Sequence, residues 1–239
     1  MMRVILALAP IALLAACGGD AGNSSAPAEP VAGATPPAGQ QWTEVVSETP
    51  EGGFRMGNPD APIKLVEYGS RGCPACAAFA RDGYEPLTQM VSSGKVSFEF
   101  RDFLLGSGAD IAAAALGRCG GPGPFFPIME QMYANQPQFF ERLQAMTPEV
   151  QAQMQNMSPA EQVTAVAEQG GYLEFVQQRG IPEAQARACL ADTATIERLV
   201  KATQDATEVT GTPSFFINGD KIDAVSWEQV QAALRQRGA

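Results

Sequence analysis

The sequence predicts an α/β domain whose sheet is interrupted by a long helical insertion. Three observations predict it. An apolar run, Ile63 to Tyr68, leads into Cys73-Pro74-Ala75-Cys76, and a helical pattern follows at once. A second strand pattern, Lys95 to Phe103, is then followed by helical patterns alone as far as residue 209. Gly211-Thr212-Pro213 returns the chain to an apolar strand, a hairpin turn and a last amphipathic helix.

The chain begins outside that domain. Arg3 supplies a positive start, and Val4 to Ala16 is apolar but too short for an ordinary membrane span. Residues 1–17 therefore read as a secretory signal. It ends Leu14-Ala15-Ala16-Cys17, which resembles the lipobox of bacterial lipoproteins, where the cysteine is lipidated and becomes the new N-terminus. An ordinary signal peptide with an incidental cysteine is the alternative. An exported chain lives where disulfides persist. Gly18 to Gln41 is rich in Ala, Gly, Pro and Ser and reads as a disordered linker, able to reach roughly 70 Å when fully stretched. The folded domain is expected over 42–239.

Within it, Trp42 to Val46 reads as a short edge strand. Glu51-Gly52-Gly53 and Gly57 to Pro62 are turn punctuation. Ile63 to Tyr68 is apolar enough for a buried strand, and the helix after it runs from Pro74 to about Val91, closed by Ser92-Ser93-Gly94. In the next strand Val96, Phe98 and Phe100 alternate with Ser97, Glu99 and Arg101. The insertion, about 108–209, reads as helices at Ala109–Leu116, Phe126–Ala134, Pro137–Met146, Pro148–Met157, Ser158 to about Glu168, Tyr172–Gln178, Pro182–Leu190 and Thr195–Val209. Ser158-Pro159-Ala160-Glu161 has the form of a capping box. Ser214 to Ile217 is a strand, Asn218-Gly219 the hairpin turn and Lys221 to Val225 its partner. Trp227, Val230 and Leu234 lie at helical spacing.

Composition narrows the function. The formal charge is −10, from 26 acids against 16 bases, and there is no histidine. An acidic chain without a basic cluster argues against nucleic-acid binding. Met129, Met132, Met146, Met154 and Met157 raise copper(I), but they form no tight cluster with a cysteine or histidine, and methionine also fills helical cores.

The Cys73–Cys76 pair carries the chemistry. Cys73 sits near a helix N-terminus, where unpaired amides and the helix dipole stabilise a thiolate. Pro74 suits the first helical turn. Zinc needs two further ligands, and Cys17, Cys119 and Cys189 stand alone. A purely structural disulfide is a further alternative. The redox reading is preferred, and it calls for no metal and no cofactor. Cys119 and Cys189 both lie in the insertion and are expected to pair in an oxidising compartment; two lone buried cysteines are the alternative. On a period of two, Glu67 shares a face with Ile63 and Leu65, so its carboxyl points into apolar surroundings and its pKa should rise. A salt bridge to Lys64 or Lys221 is the alternative.

At Gly57 to Pro62, Glu67-Tyr68, Cys73-Pro74-Ala75-Cys76 and Gly211-Thr212-Pro213-Ser214-Phe215-Phe216-Ile217-Asn218-Gly219, the sequence resembles the DsbA-like thioredoxin family of bacterial envelope proteins. The resemblance covers roughly residues 43–239. It implies a thioredoxin fold with a large helical insertion and thiol–disulfide exchange with exported proteins, served by a membrane redox partner. It implies that Pro213 is a cis proline packed against the active-site disulfide, leaving the Thr212 backbone to pair with an extended substrate. It places Glu67 as a buried acid beneath Cys76, able to take that thiol's proton through a water. An ordinary trans proline at 213 is the alternative. Many DsbA-type oxidases carry histidine where this chain has Ala75, which implies a less oxidising disulfide here. The leading direction is donation of disulfides; an isomerase or reductase, or a peptide-binding module without turnover, are the other readings.

Overall fold

The structure, a computed structural model, describes residues 28–239. The signal reading, Cys17 included, lies outside those residues. One six-stranded sheet organises the fold, with strands β1 (Val46–Glu48), β2 (Phe54–Met56), β3 (Ile63–Gly69), β4 (Val96–Asp102), β5 (Ser214–Ile217) and β6 (Asp220–Ile222). Their order is β1-β2-β4-β3-β5-β6. Only β3 and β4 run parallel, and they are joined through helix α1 (Pro74–Ser92). A parallel pair needs such a crossover. It brings the C-terminal ends of both strands to one edge, where the Cys-Pro-Ala-Cys turn begins.

The turn between β5 and β6 explains their register. Asn218 and Gly219 both take positive φ, 54° and 92°, as a two-residue hairpin of matching twist requires. The Asn218 side chain also accepts from the Lys64 amide at 2.8 Å and donates to the Pro62 carbonyl at 3.1 Å, tying the hairpin to β3. The last helix, α10 (Trp227–Gln236), starts from a Ser226–Gln229 capping box and buries Trp227, Val230 and Leu234.

Eight helices fill the interval between β4 and β5: α2 (Gly108–Arg118), α3 (Pro122–Ala134), α4 (Gln136–Gln144), α5 (Pro148–Gln155), α6 (Pro159–Gln169), α7 (Tyr172–Gln177), α8 (Glu183–Ala191) and α9 (Thr193–Asp205). They build a second core from α2, α3, α4, α6, α7 and α8. The helix α3 joins the two cores. Its Phe125, Phe126, Met129 and Tyr133 pack against the sheet core, while Ile128 and Met132 face the insertion. Of the methionines raised for copper, Met129 and Met132 are thus packing residues in separate cores. The Ser158–Glu161 capping box forms at the start of α6.

Helix α3 starts four residues before the expected Phe126 and β6 ends at Ile222 rather than Val225, and four larger details differ from the sequence reading. Trp42–Glu44 is a 3₁₀ turn rather than a strand, because Gln41 and Glu44 cap one another, and β1 starts at Val46. Phe54–Met56, between two stretches of turn punctuation, pairs with both β1 and β4. Three residues are too few for a period to show. Helix α9 starts earlier and ends at Asp205, since Asp192 caps it by accepting from the Thr195 amide at 3.1 Å. The fourth difference is at the N-terminal side. Residues 28–41, read from composition as linker, lie along the body as a strap. Ala28 donates to Gln236, Val31 to Gly238 and Ala34 to Ser93, all backbone to backbone. The Trp42 indole donates to the Ala34 carbonyl at 2.7 Å. Gly94 permits the close approach: a Cβ there would lie 2.5 Å from the Ala34 oxygen, and its φ of +73° suits glycine.

Candidate active site

Cys73 is the N-cap of α1. Its backbone is extended, with φ −91° and ψ 119°, and Pro74 takes the first helical turn. The cap side chain is therefore a sulfur, aimed at the amides that the helix leaves without partners. The Cys76 amide donates to Cys73 Sγ at 3.4 Å. From the other side of the site, the Thr212 carbonyl oxygen lies 3.2 Å from the same sulfur. Thr212 stands just before β5, and the Thr212–Pro213 peptide bond is cis. The topology thus brings Cys73 and Pro213, far apart in sequence, to the same edge of the sheet.

The two cysteines differ sharply. Both cysteines are free, and the Cys73 thiol is held down to about 5, chiefly by a hydrogen bond with the Cys76 thiol, with the Thr212 side chain and the Cys76 and Ala75 amides adding to it against the cost of burial. Cys76 is fully buried. Burial, then its hydrogen bond to Cys73 and the carboxyl of Glu67, push its thiol far above the ordinary range. Pro74 and Ala75 between them are exposed. No side chain at position 75 takes part: the Cys76 thiol, the Thr212 side chain and the Cys76 and Ala75 amides hold the thiolate.

Glu67 lies in β3, opposite Phe100 of β4 and Phe215 of β5. Every second residue of β3 is buried, and Glu67 falls on the buried set with Ile63 and Leu65. Burial, reinforced by the charge at Cys73 and opposed by Arg71, pushes its carboxyl up to about 8. Neither Lys64 nor Lys221 pairs with it: both are exposed, and the Lys221 amine donates to the Glu208 carbonyl. Its Oε1 has no hydrogen-bond partner among the described residues.

Residues that the sequence did not single out complete the site. Arg71, buried in the turn before Cys73, pairs with Asp102, and Arg118 of α2 closes on the same carboxylate at 2.9 Å. The Arg71 guanidinium lies between the Phe100 and Phe125 rings, 5.3 Å from each centroid. Gly117 makes room for it, since a Cβ there would lie 2.5 Å from Arg71 Nε. Gln136, at the start of α4, donates to the carbonyl oxygens of Arg71 and Cys73 at 2.9 and 3.0 Å. It latches the insertion onto the cysteine turn. Ser70 donates to Asp110 at 2.6 Å and accepts from the Gly72 amide at 3.0 Å. Arg71 and Ser70 could have been suspected from their nearness to Cys73; nothing in the sequence marks Gln136.

Cys119 and Cys189 are joined in a disulfide, Cα atoms 5.8 Å apart, that ties the end of α2 to α8. It lies in the insertion rather than among the residues around Cys73. No helix among the described residues is long and apolar enough to cross a membrane.

A family model described as Thioredoxin matches residues 49–236. The chain belongs to the thioredoxin family. A relative named as a protein-disulfide oxidoreductase in Rickettsia bellii (strain RML369-C) is 26% identical over 195 residues, covering 80% of this chain and 66% of the relative. Disulfide bond formation protein D of Bacillus subtilis (strain 168) is 30% identical over 104 residues, 41% of this chain and 47% of that protein. This thioredoxin-family chain thus spans just under two thirds of the first relative's length and less than half of the second's. Among solved structures, a protein-disulfide isomerase from Novosphingobium aromaticivorans matches with a TM-score of 0.70 and 28% identity, over 75% of this chain and 94% of that one. The alpha-DsbA1 of Wolbachia pipientis shares the fold, with a TM-score of 0.59 and 18% identity over 76% and 88% of the two chains. The architecture is a thioredoxin fold with a helical insertion, as in DsbA proteins.

Proposed function

We propose that this chain is a thiol–disulfide oxidoreductase that exchanges disulfides with exported, cysteine-containing proteins. The observation that carries the reading is the asymmetry of the pair. Cys73 caps the helix with its thiol held low, 6% exposed beside the exposed Pro74 and Ala75, and Cys76 is a fully buried thiol behind it. Such a pair has one sulfur that meets the client and one that meets only its neighbour. Cys73 forms the mixed disulfide. Cys76 resolves it, or leaves as the client attacks. The Thr212 backbone, beside Cys73, aligns an extended client segment.

Glu67 serves as the proton store for Cys76. With its carboxyl near 8 it holds a proton at neutral pH and can give it to the Cys76 thiolate as that sulfur leaves. In the reverse direction the carboxylate takes the proton back. Donation of disulfides to exported proteins is the leading direction, with a membrane partner re-oxidising the pair. The name of the Novosphingobium structure supports isomerisation as the second reading. The site is on the periplasmic side of a bacterial envelope, with Cys17 as the lipid anchor. The signal-like residues 1–17 and the Cys119–Cys189 disulfide support that address. The acidic charge of −10 is unsuited to nucleic acid.

A redox titration of the Cys73–Cys76 couple in glutathione buffer tests the reading. A thiolate near 5 falls between the values of about 7 for thioredoxin and about 3.5 for DsbA. The potential is therefore expected between about −270 and about −120 mV. Trapping the in vivo redox state separates donation, which keeps the pair oxidised, from isomerisation, which keeps it reduced. A binding module without turnover would survive Cys73→Ala in cells; an exchange enzyme would not.

A further inference from the structure

Four buried polar atoms have no partner among the described residues: Glu67 Oε1, Tyr133 Oη, and Nε and Nη2 of Arg71. In folded proteins such atoms are uncommon, and ordered water is their usual partner. These four come from three separate segments, β3, the turn before α1, and α3, and all three residues meet at one ring. Phe100 sits opposite Glu67 in the sheet, lies under the Arg71 guanidinium, and has the Tyr133 ring edge-on at a centroid distance of 6.5 Å. A Cβ on Gly69 would lie 2.5 Å from Phe100 Cε2 and 2.9 Å from Glu67 Oε1, so the carboxyl also reaches that ring. Tyr133 is 4% exposed, yet its hydroxyl is spent on nothing.

We infer that Tyr133 is a positioning residue for the Cys76 proton, its hydroxyl and the Glu67 carboxyl sharing a buried pocket of water beneath Cys76. The inference rests on the exchange reaction proposed above and adds the residue that fixes the proton's route. Burial pushes the Tyr133 hydroxyl well above its ordinary range, and Cys76, Glu67, Arg71 and Asp102 are near enough to act on it as well. Those groups, with Cys73, are the charged and titratable groups that face the pocket from α1, β3, β4 and the turn between β3 and α1. Arg71 is the one cation among them.

A client thiolate attacks Cys73 Sγ of the oxidised pair, the client–Cys73 bond forms, and the Cys73–Cys76 bond breaks. The electron pair leaves with Cys76 Sγ. The proton on Glu67 passes through water held by the Tyr133 hydroxyl to that sulfur, and the carboxylate remains. In the reverse direction Cys76 gives the proton back, attacks Cys73 and expels the client thiolate.

The test compares the full-length protein with Tyr133→Phe, Glu67→Gln and the double variant. A cysteine-containing peptide attacks the oxidised protein under stopped flow across pH 5 to 9, and thiolate absorbance is titrated alongside. Tyr133→Phe removes only a hydroxyl, so the fold and the Cys73 titration should stay as they are. Exchange is expected to slow about tenfold near neutral pH, within the range general acid–base groups contribute. The double variant should be no slower than Glu67→Gln, because both changes break one route. Wild-type rates in Tyr133→Phe, or losses that multiply in the double variant, would overturn the inference while leaving the exchange reading intact. No exchange by the wild type itself would overturn both. Should Tyr133→Phe not fold, 3-fluorotyrosine at this position keeps the shape and acidifies the phenol. The pH profile should then move, and an unmoved profile counts against Tyr133.

Discussion

Cys73 and Glu67 pull stability in opposite directions as pH changes. The carboxyl of Glu67 is raised from 4.5 to about 8 in the fold. The unfolded chain therefore holds fewer protons there between those values, and Glu67 costs stability progressively as pH rises through that window. Glu67→Gln should remove this slope. Its unfolding free energy is expected to match wild type near pH 4.5 and to exceed it at pH 8, by an amount on the order of several kcal/mol at most. Urea titrations at the two pH values check it. For Cys73 the shift is downward, so the thiolate's contribution is present at high pH and lost as pH falls through about 5. Absorbance of the thiolate should show a midpoint near that value, well under the free thiol's value of about 8.5.

At the scale of elements, the insertion is fixed to the thioredoxin frame by few but specific ties. Gln136 spends both protons of its amide nitrogen on the cysteine turn. Gln136→Ala leaves the Arg71 carbonyl without its donor, while the Cys73 carbonyl keeps the Ala77 amide, and is expected to destabilise the fold by about 1–3 kcal/mol. It should also slow exchange, since the cysteine turn loses its tie to α4; guanidinium unfolding and peptide kinetics read the two effects separately. The Cys119–Cys189 bond closes a loop of 70 residues within the insertion. Converting both to serine should lower stability by roughly 4 kcal/mol in the chain-entropy account and leave the potential of the Cys73 pair unchanged.

The elements were also where the sequence spoke most clearly. Strand alternation at Val96, Phe98 and Phe100, the Ser158 capping box and the Asn218-Gly219 turn are local signals, and each element stands where its signal lies. Cys73 was visible through its motif, and Glu67 through the two-residue period of its strand. Gln136 and Tyr133 were not, because their roles come from long-range packing that no local pattern encodes. Gln136 and Cys73 are 63 residues apart, and only the docking of α4 makes them neighbours. The three-residue strand β2 was missed for a different reason: it borrows its stability from β1 and β4 on either side.

For the whole molecule, the redox state decides which titration is felt. In the reduced protein the slopes of Cys73 and Glu67 oppose one another between about pH 5 and 8. In the oxidised protein Cys73 no longer titrates, and the Glu67 slope, due mainly to burial, is left alone. The melting temperature of the oxidised form minus that of the reduced form should therefore fall as pH rises across that range. Calorimetry of the two forms at pH 5 and 8 measures it; a difference that grows with pH would contradict the assignment.

The strap at residues 28–41 sets a direction. It meets the body at the C-terminal ends of α1 and α10, through Ser93 and Gln236. Cys73 caps the opposite end of α1, a helix of 19 residues and hence about 28 Å long. The chain thus enters the domain near the end of α1 opposite the reactive sulfur. Between Cys17 and Ala28 the backbone can span no more than about 40 Å, far less than the tether that composition alone suggested. A lipid at Cys17 would hold the domain close to the bilayer by its base, with the reactive thiol turned outward to the soluble space. Clients arriving from that space would meet Cys73 directly, whereas an enzyme embedded in the same bilayer could reach it only by extending a loop over the domain or by tipping the domain on its tether.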